Sequence, residues 1–237
     1  MLDVLKRRFG SLIPGFLLDR LMAVEAVIER SVVEFSASLP ADARVLDAGA
    51  GESRFRKAFA NQHYVAVDLA VGDVDWDYAD IDCVGDLAAI PLASDSFDGA
   101  LNIVVLEHLP RPDLALAEIA RCLKPGGRLL LIAPQQWEVH QAPHDYFRFT
   151  RYGLQELCRR AGLTLDNIEP IGGYFSLLAR RLTGSLNFFQ GGVRWIFFPF
   201  VALAIAPFAL LLPSMDYLDS SKDFTLAYKC IARKPSS

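Results

Sequence analysis

Two short windows hold the residues best suited to chemistry: Asp47, Gly49 and Gly51 in RVLDAGAGESRF, and Asp68 at the end of YVAVD. Each acid follows or closes an apolar run, and the glycines permit a tight turn after the first. In open α/β sheets ligands bind at the carboxyl ends of the strands, where an acid about twenty residues beyond the turn can meet ribose hydroxyls. A dinucleotide fingerprint wants a third glycine to seat its helix, and Arg54 stands there instead. Asp47 would also repel a pyrophosphate. The same acid suits a nucleoside ligand carrying an ammonium and a sulfonium, which describes S-adenosylmethionine (SAM).

Histidine is the natural proton acceptor near neutral pH. Of the four present, His63 precedes the second apolar run and reads as a surface residue. His108, in LEHL, follows the fourth run at the mouth of the expected cleft, and is the first candidate for acceptor contact or general base. His140 and His144 lie in QQWEVHQAPHDYFRFT, after the fifth run. There His144, Asp145, Tyr146 and Arg148 form a polar, aromatic loop that reads as an acceptor lid, although Asp145 and Arg148 could equally pair to hold it. His140, His144 and Asp145 show no fourth ligand, so no metal is expected. Asp73, Asp75 and Asp77 start like a calcium loop, but Tyr78 and Val84 occupy its glycine and glutamate positions.

These groups need strands ending on one edge. The apolar pattern supplies strand-like runs around Val45, Val65, Leu101 and Leu130. It also supplies a helix from Pro112 to Leu123, with Leu114, Ile119 and Leu123 facing the sheet and Gly126-Gly127 beyond its end. A second helix runs from Thr150, its N-cap, to Ala161, with Gly162 closing it. Strands are expected at Leu163 to Ile171 and Phe224 to Ala232. Seventeen residues separate Asp68 from Asp86, too few for a helix plus a strand, so an acidic loop is expected there. In residues 1–39, Leu17, Leu21, Val24, Ile28 and Val32 keep helical spacing; Lys6, Arg7 and Arg8 beside Phe9 offer a basic, apolar foot as the alternative to a helix on the sheet edge.

In order along the chain, these landmarks resemble the class I SAM-dependent methyltransferases, in the type 11-like branch and close to members of cell-surface glycan and lipid clusters. The matching residues are Asp47, Gly49 and Gly51; Asp68; Asp86-Leu87; Ser96-Phe97-Asp98; EIARCLKPGGRLLLIAP; and the Pro-His-Asp-Tyr-x-Arg-x-Thr segment. The resemblance implies an α/β fold, a doubly wound, seven-stranded, mostly parallel sheet with an apolar helical insertion before the last strand. Strand seven would run antiparallel beside strand six at one edge. It implies SAM as co-substrate, held by Asp47, Ala48, Gly49, Gly51, Asp68, Leu69, Asp86, Leu87 and Asn102, with His108, His144 and Tyr146 toward the acceptor. Ser53 stands where many members carry another glycine, so a wider turn is expected.

Apolar residues make up 52% of the 237, and the net charge of −4 gives no reason to expect nucleic acid. Four scattered cysteines without metal spacing suit a reducing compartment, and no cleavable signal is apparent, which points to the cytoplasmic side. Trp195 to Leu212 runs eighteen residues without a charge. If strands six and seven share a sheet, one crossing of a bilayer cannot return the chain, and Pro199 and Pro207 should break the stretch into two short arms. A re-entrant or in-plane hairpin on a membrane surface is expected through 195–212; burial in a dimer or a substrate tunnel is the alternative. The organisation is then 1–39 amphipathic helical, 40–173 SAM-binding core, 174–218 apolar insertion, and 219–237 final strand and tail. The acceptor is a small molecule or a lipid-linked one, and the oligomeric state stays open. A catalytically silent SAM-fold scaffold is the remaining alternative.

Overall fold

A computed structural model describes residues 23–72 and 75–236. The described residues form two compact units, one of 28–169 with 227–236, the other of 23–27 with Pro170–Leu226. The N-terminal positions Lys6, Arg7, Arg8, Phe9, Leu17 and Leu21 lie outside the described residues, as does Asp73.

Seven strands form one sheet: β1 (Arg44–Ala48), β2 (His63–Asp68), β3 (Cys83–Val84), β4 (Phe97–Ile103), β5 (Leu123–Pro134), β6 (Thr164–Ile171) and β7 (Ala227–Arg233). Their order is β3-β2-β1-β4-β5-β7-β6. Strands β1 to β5 pair in parallel, and β7 runs antiparallel to β5. This is the doubly wound sheet expected, with one adjustment: β7 inserts between β5 and β6, so β6 takes the edge. Strand order reverses between β1 and β4, where adjacent loops part and leave a crevice.

Side chains alternate across the pleat. Leu46, Ala48, Val67, Ala100, Leu129, Leu131 and Ala133 share one buried cluster with Leu116 and Ile119 of α2 (Pro112–Cys122) and Leu154 and Cys158 of α3 (Arg151–Arg160). On the other face α1 (Ala23–Ala37) buries Ile28, Val32 and Phe35, and Gly99 of β4 lies under Phe35 and Leu39. Helix α1 thus takes the sheet-covering role that Val24, Ile28 and Val32 suggested. Thr150 caps α3 as expected, its hydroxyl accepting from the Gly153 N–H at 3.1 Å.

One local expectation is corrected, and two connections are tighter than a family member's usual loop and helix would make them. Leu114 is 39% exposed, because the buried stripe of α2 runs through Pro112, Ala115, Leu116, Ile119 and Cys122 and leaves it aside. No loop follows α2: β5 starts at Leu123, and the Gly126-Gly127 pair absorbs an irregularity in the β4–β5 register, Gly126 with φ of +80°. Between the first turn and β2 the described residues form no full helix. Only a 3-10 turn, Arg56–Phe59, fits before β2, although it buries Phe59. The acidic interval after Asp68 contains no helix among the described residues, as expected.

The second unit is helical. Helix α4 (Tyr174–Gly184) has its first N–H groups capped by carboxylates. Asp219 accepts from Tyr174 N at 2.8 Å, and Asp216 accepts from Phe175 N and Ser176 N at 3.0 and 3.1 Å. Helix α5 (Phe198–Leu211) packs along α4 and continues past Pro207, then goes on as 3-10 turns to Leu218. The two-armed hairpin is therefore corrected: Pro199 falls in the first helical turn, where its missing N–H costs nothing, and Pro207 costs one interior bond without breaking the helix.

Gly49 ends β1 with φ of +92°, and an added Cβ would lie 2.4 Å from Val105 Cγ1. Gly49→Ala should therefore destabilise the chain by about 2–4 kcal/mol through strain and overpacking. Urea denaturation checks this, and Gly49→Ala with Val105→Ala should recover the packing part but not the backbone part.

Candidate active site

The loops after β1, β2, β4 and β5 all leave the carboxyl edge of the parallel sheet. The β1 turn is clamped from both sides. Gly49 N and Ala50 N donate to Val67 O of β2 at 2.8 and 3.2 Å. Gly51 N donates to Asp68 Oδ2 at 2.9 Å, and Asp68 Oδ1 accepts from Ala70 N at 2.8 Å. Beneath the turn, fully buried Asn102 of β4 donates to Ala48 O at 2.8 Å while its Oδ1 has no hydrogen-bond partner. Ser53 keeps φ of +53°, so it adopts the conformation a glycine would take there.

Asp47 is 1% exposed. Its neighbour across the parallel register, Ala66, is two residues from Tyr64 and on the same face, and the Tyr64 hydroxyl donates to the Asp47 carboxylate. Burial pushes the Asp47 pKa up to about 6, against the lowering effect of the Tyr64 hydrogen bond. An ionised carboxylate held this dry favours a cation beside it. The acidic loop closes the turn from above. Ser53 Oγ and Arg56 Nη2 donate to Asp80 O at 3.0 and 2.6 Å, and Arg56 also pairs with Asp82 at 2.7 Å. Trp76 lies over Gly51, 3.1 Å from where a Cβ would sit.

Other expected donor contacts sit differently. Leu69 is 49% exposed beside Asp68. Asp86 caps the short turn Leu87–Ala89 through Ala88 N at 2.8 Å, while the Leu87 side chain is buried in the core, leaving its backbone as the part that can face a ligand.

On the acceptor side, the 3-10 turn Leu106–His108 after β4 meets the loop after β5. Asp145 and Arg148 form a two-pronged ion pair at 2.5 and 2.8 Å, which holds the Asp145 carboxyl well below the usual range. Asp145 also accepts from His140 N at 2.9 Å, and Arg148 donates to Trp137 O and Glu138 O at 3.2 and 2.8 Å. Tyr146 N and Phe147 N donate to Glu107 O at 2.9 and 3.3 Å. The pair thus holds the loop, one of the two roles left open for it. His144 and Tyr146 stay exposed and face each other, Nδ1 to hydroxyl at 3.1 Å. His144 therefore does not join His140 and Asp145, whose Oδ2 lies 3.5 Å from His140 Nδ1.

His108 does meet His140, its ring centre 4.6 Å away. Both turn Nε2 toward Glu107, at 3.7 and 3.5 Å. Glu107 is fully buried and neither carboxylate oxygen has a hydrogen-bond partner. The Glu107 side chain, as a nearby acceptor for an Nε2 proton, raises the proton affinity of His140 against the lowering effect of burial. Tyr64, Trp76 and Glu107 escaped sequence reasoning. Glu107 left one trace, an acid next to the chosen histidine in LEHL.

An acid-bearing turn at the reversal point of an open, mostly parallel sheet defines a nucleoside-binding α/β protein. A methyltransferase-domain family model matches residues 46–131. A malonyl-[acyl-carrier protein] O-methyltransferase of Methylococcus capsulatus is 32% identical over 72% of this chain and 70% of its own length. A ubiquinone biosynthesis O-methyltransferase of Nitrosococcus oceani is 31% identical over 36% of the chain and 43% of its own length. The phosphoethanolamine N-methyltransferase 2 of Haemonchus contortus shares the fold, with a TM-score of 0.56 at 16% identity over 87% of this chain and 52% of that one. The chain belongs to the class I SAM-dependent methyltransferases, whose methyl donor is SAM. It spans from under half to about three quarters of the length of its curated relatives.

Because the folded Asp47 pKa lies above its unfolded value of about 4, its contribution is fully present at acid pH and is lost as pH rises through about 6. Ionised, the buried charge costs about 3 kcal/mol. Wild-type protein should therefore gain stability on acidification from pH 8 to pH 5, and Asp47→Asn should remove that component. Urea midpoints at both pH values check the sign.

Proposed function

We propose that this chain transfers the SAM methyl group to an oxygen of a lipid-linked or amphiphilic acceptor at the cytoplasmic surface of a membrane. In the transfer the methyl carbon leaves sulfur, which keeps the bonding electron pair, and bonds to the acceptor oxygen, whose proton passes to solvent water. The sulfonium is already an activated leaving group, so alignment and water exclusion are the main tasks. Asp47 would take the amino-acid ammonium, the backbone of Ala48 to Gly51 the carboxylate end, Asp68 with Leu69 the ribose, and Asp86-Leu87 the adenine. Asn102 would hold the turn from below. Oxygen as the accepting atom is supported by the names of the two O-methyltransferase relatives, one of which belongs to quinone synthesis.

One observation carries the membrane part. The helical stretch Phe198–Leu218 has a mean hydropathy of 2.0, is long and apolar enough to cross a membrane by length and composition, and is only 6% buried. Val201, Ala202, Ile205 and Ala209 are the sheltered side of α5; Phe200, Leu203, Phe208 and Leu211 stand 58–75% exposed on the other. Monomeric soluble proteins rarely leave such a face bare. Arg194 and Trp195 at one end and Tyr217 at the other suit a headgroup boundary. That β6 and β7 flank this stretch and share a sheet argues against a single crossing and supports a helix lying along the surface, sunk by its bare side.

Asp68→Ala should weaken SAM binding by about 1–3 kcal/mol in calorimetry with the fold retained; an unchanged dissociation constant removes the ribose assignment. The full chain should float with vesicles containing anionic lipid, whereas the combined variant Phe200→Asp, Leu203→Asp, Phe208→Asp should stay at the bottom of the gradient. Wild-type protein that fails to float sinks the membrane role. Mass spectrometry of lipid extracts, with and without the protein, then seeks an acceptor heavier by one methylene.

A further inference from the structure

Glutamate is almost never fully buried unless something pairs with it. Glu107 is fully buried, and its partners, His108 Nε2 and His140 Nε2, stand beyond hydrogen-bond length at 3.7 and 3.5 Å. Both of those nitrogens are themselves buried without a hydrogen-bond partner, as are both Glu107 oxygens.

The tautomers sharpen the difficulty. His108 Nδ1 lies 2.5 Å from His144 O, and His140 Nδ1 lies 3.1 Å from Glu138 O. A carbonyl only accepts, so both Nδ1 atoms carry the proton and donate. In the neutral rings, each Nε2 is then a bare lone pair. Two lone pairs and a carboxylate converge with no donor among them. A single added proton answers one imidazole at most, and at 3.5 Å it makes no good hydrogen bond to the acid.

We propose that Glu107, His108 and His140 form a site for one divalent transition-metal ion of the Zn2+ or Mn2+ class. The three ligand atoms lie within 4.8 Å of one another. Metal–ligand bonds of about 2.1 Å in tetrahedral geometry set neighbouring ligands about 3.4 Å apart, close to the two distances seen. Two imidazoles and a carboxylate are a donor set such ions accept. Each ring donates its far N–H to a backbone carbonyl, the support that fixes a ligating histidine in place. Asp145 backs this shell, accepting from His140 N, while Arg148 neutralises Asp145 and anchors Glu138 O. Three protein ligands leave a position open for oxygen of water or of an acceptor. That last role rests on the methyl-transfer proposal; the metal site does not.

The test uses untagged full-length protein stripped with chelator and titrated with Co2+ and Zn2+ alone. Wild type should bind one equivalent, with visible absorption bands for Co2+. His140→Gln and Glu107→Gln should each weaken binding at least about tenfold, and His63→Gln, a surface change, should leave it intact. Calorimetry with SAM reports whether each variant keeps its donor site. Co2+ binding that is equal in wild type and His140→Gln, or no retained metal in wild type, overturns the proposal. Stoichiometric metal together with no methylated lipid leaves the site standing and removes the acceptor role.

Discussion

The structure turns on a buried carboxylate that the first two strands hold between them. Parallel pairing of β1 with β2 sets Tyr64 opposite Val45 and so brings its hydroxyl to Asp47, two residues on and on the same face of the sheet. The carboxylate has almost no access to water; the Tyr64 hydroxyl donates to it, and Arg54 and Arg56 favour its charge from farther off. Everything next to it is arranged to keep that pocket shaped: Val67 O and Asp68 grip the turn from β2, Asn102 braces it from β4, and the acidic loop ties down over it through Arg56 and Ser53. An ammonium or sulfonium is the natural complement of such a carboxylate, and a pyrophosphate is not.

The opposite rim is built on a similar principle with different parts. Asp145 and Arg148 spend their charges on each other and on the loop backbone, which makes the loop a scaffold. His108 and His140, each also bonded through Nδ1 to a loop carbonyl, turn Nε2 toward Glu107. This places the lone-pair nitrogen of His108 inside the rim and away from solvent, whereas His144 and Tyr146 remain outside it. Loops that carry function on a rigid sheet edge behave in this way: a few ion pairs fix the backbone so that other side chains need not.

Much of this was legible in advance, for reasons that differ by element. Asp47, Gly49, Gly51 and Asp68 could be read because a tight turn after a strand leaves few residue types able to serve, and their spacing is local. Thr150 could be read as a cap because a cap is a contact across three residues. The acidic loop followed from counting, since seventeen residues between Asp68 and Asp86 leave no room for a helix. Leu114 was misplaced because one residue at helical spacing does not define which stripe faces the sheet. Pro207 misled because a proline removes one hydrogen bond, a cost that packing along α4 can offset.

Glu107 shows the other limit. In sequence it is an acid beside a histidine, and nothing local distinguishes a solvated glutamate from a buried one. The sequence by itself determined the strand runs, the glycine turn, the strand-ending acids and the eighteen uncharged residues, because each depends on composition or spacing within a short segment. Only the tertiary structure decided which distant groups meet: Tyr64 with Asp47, His140 with Glu107, and α4 with one side of α5. Those meetings are set by sheet register and loop path, which couple residues far apart along the chain and leave no periodic signature in it.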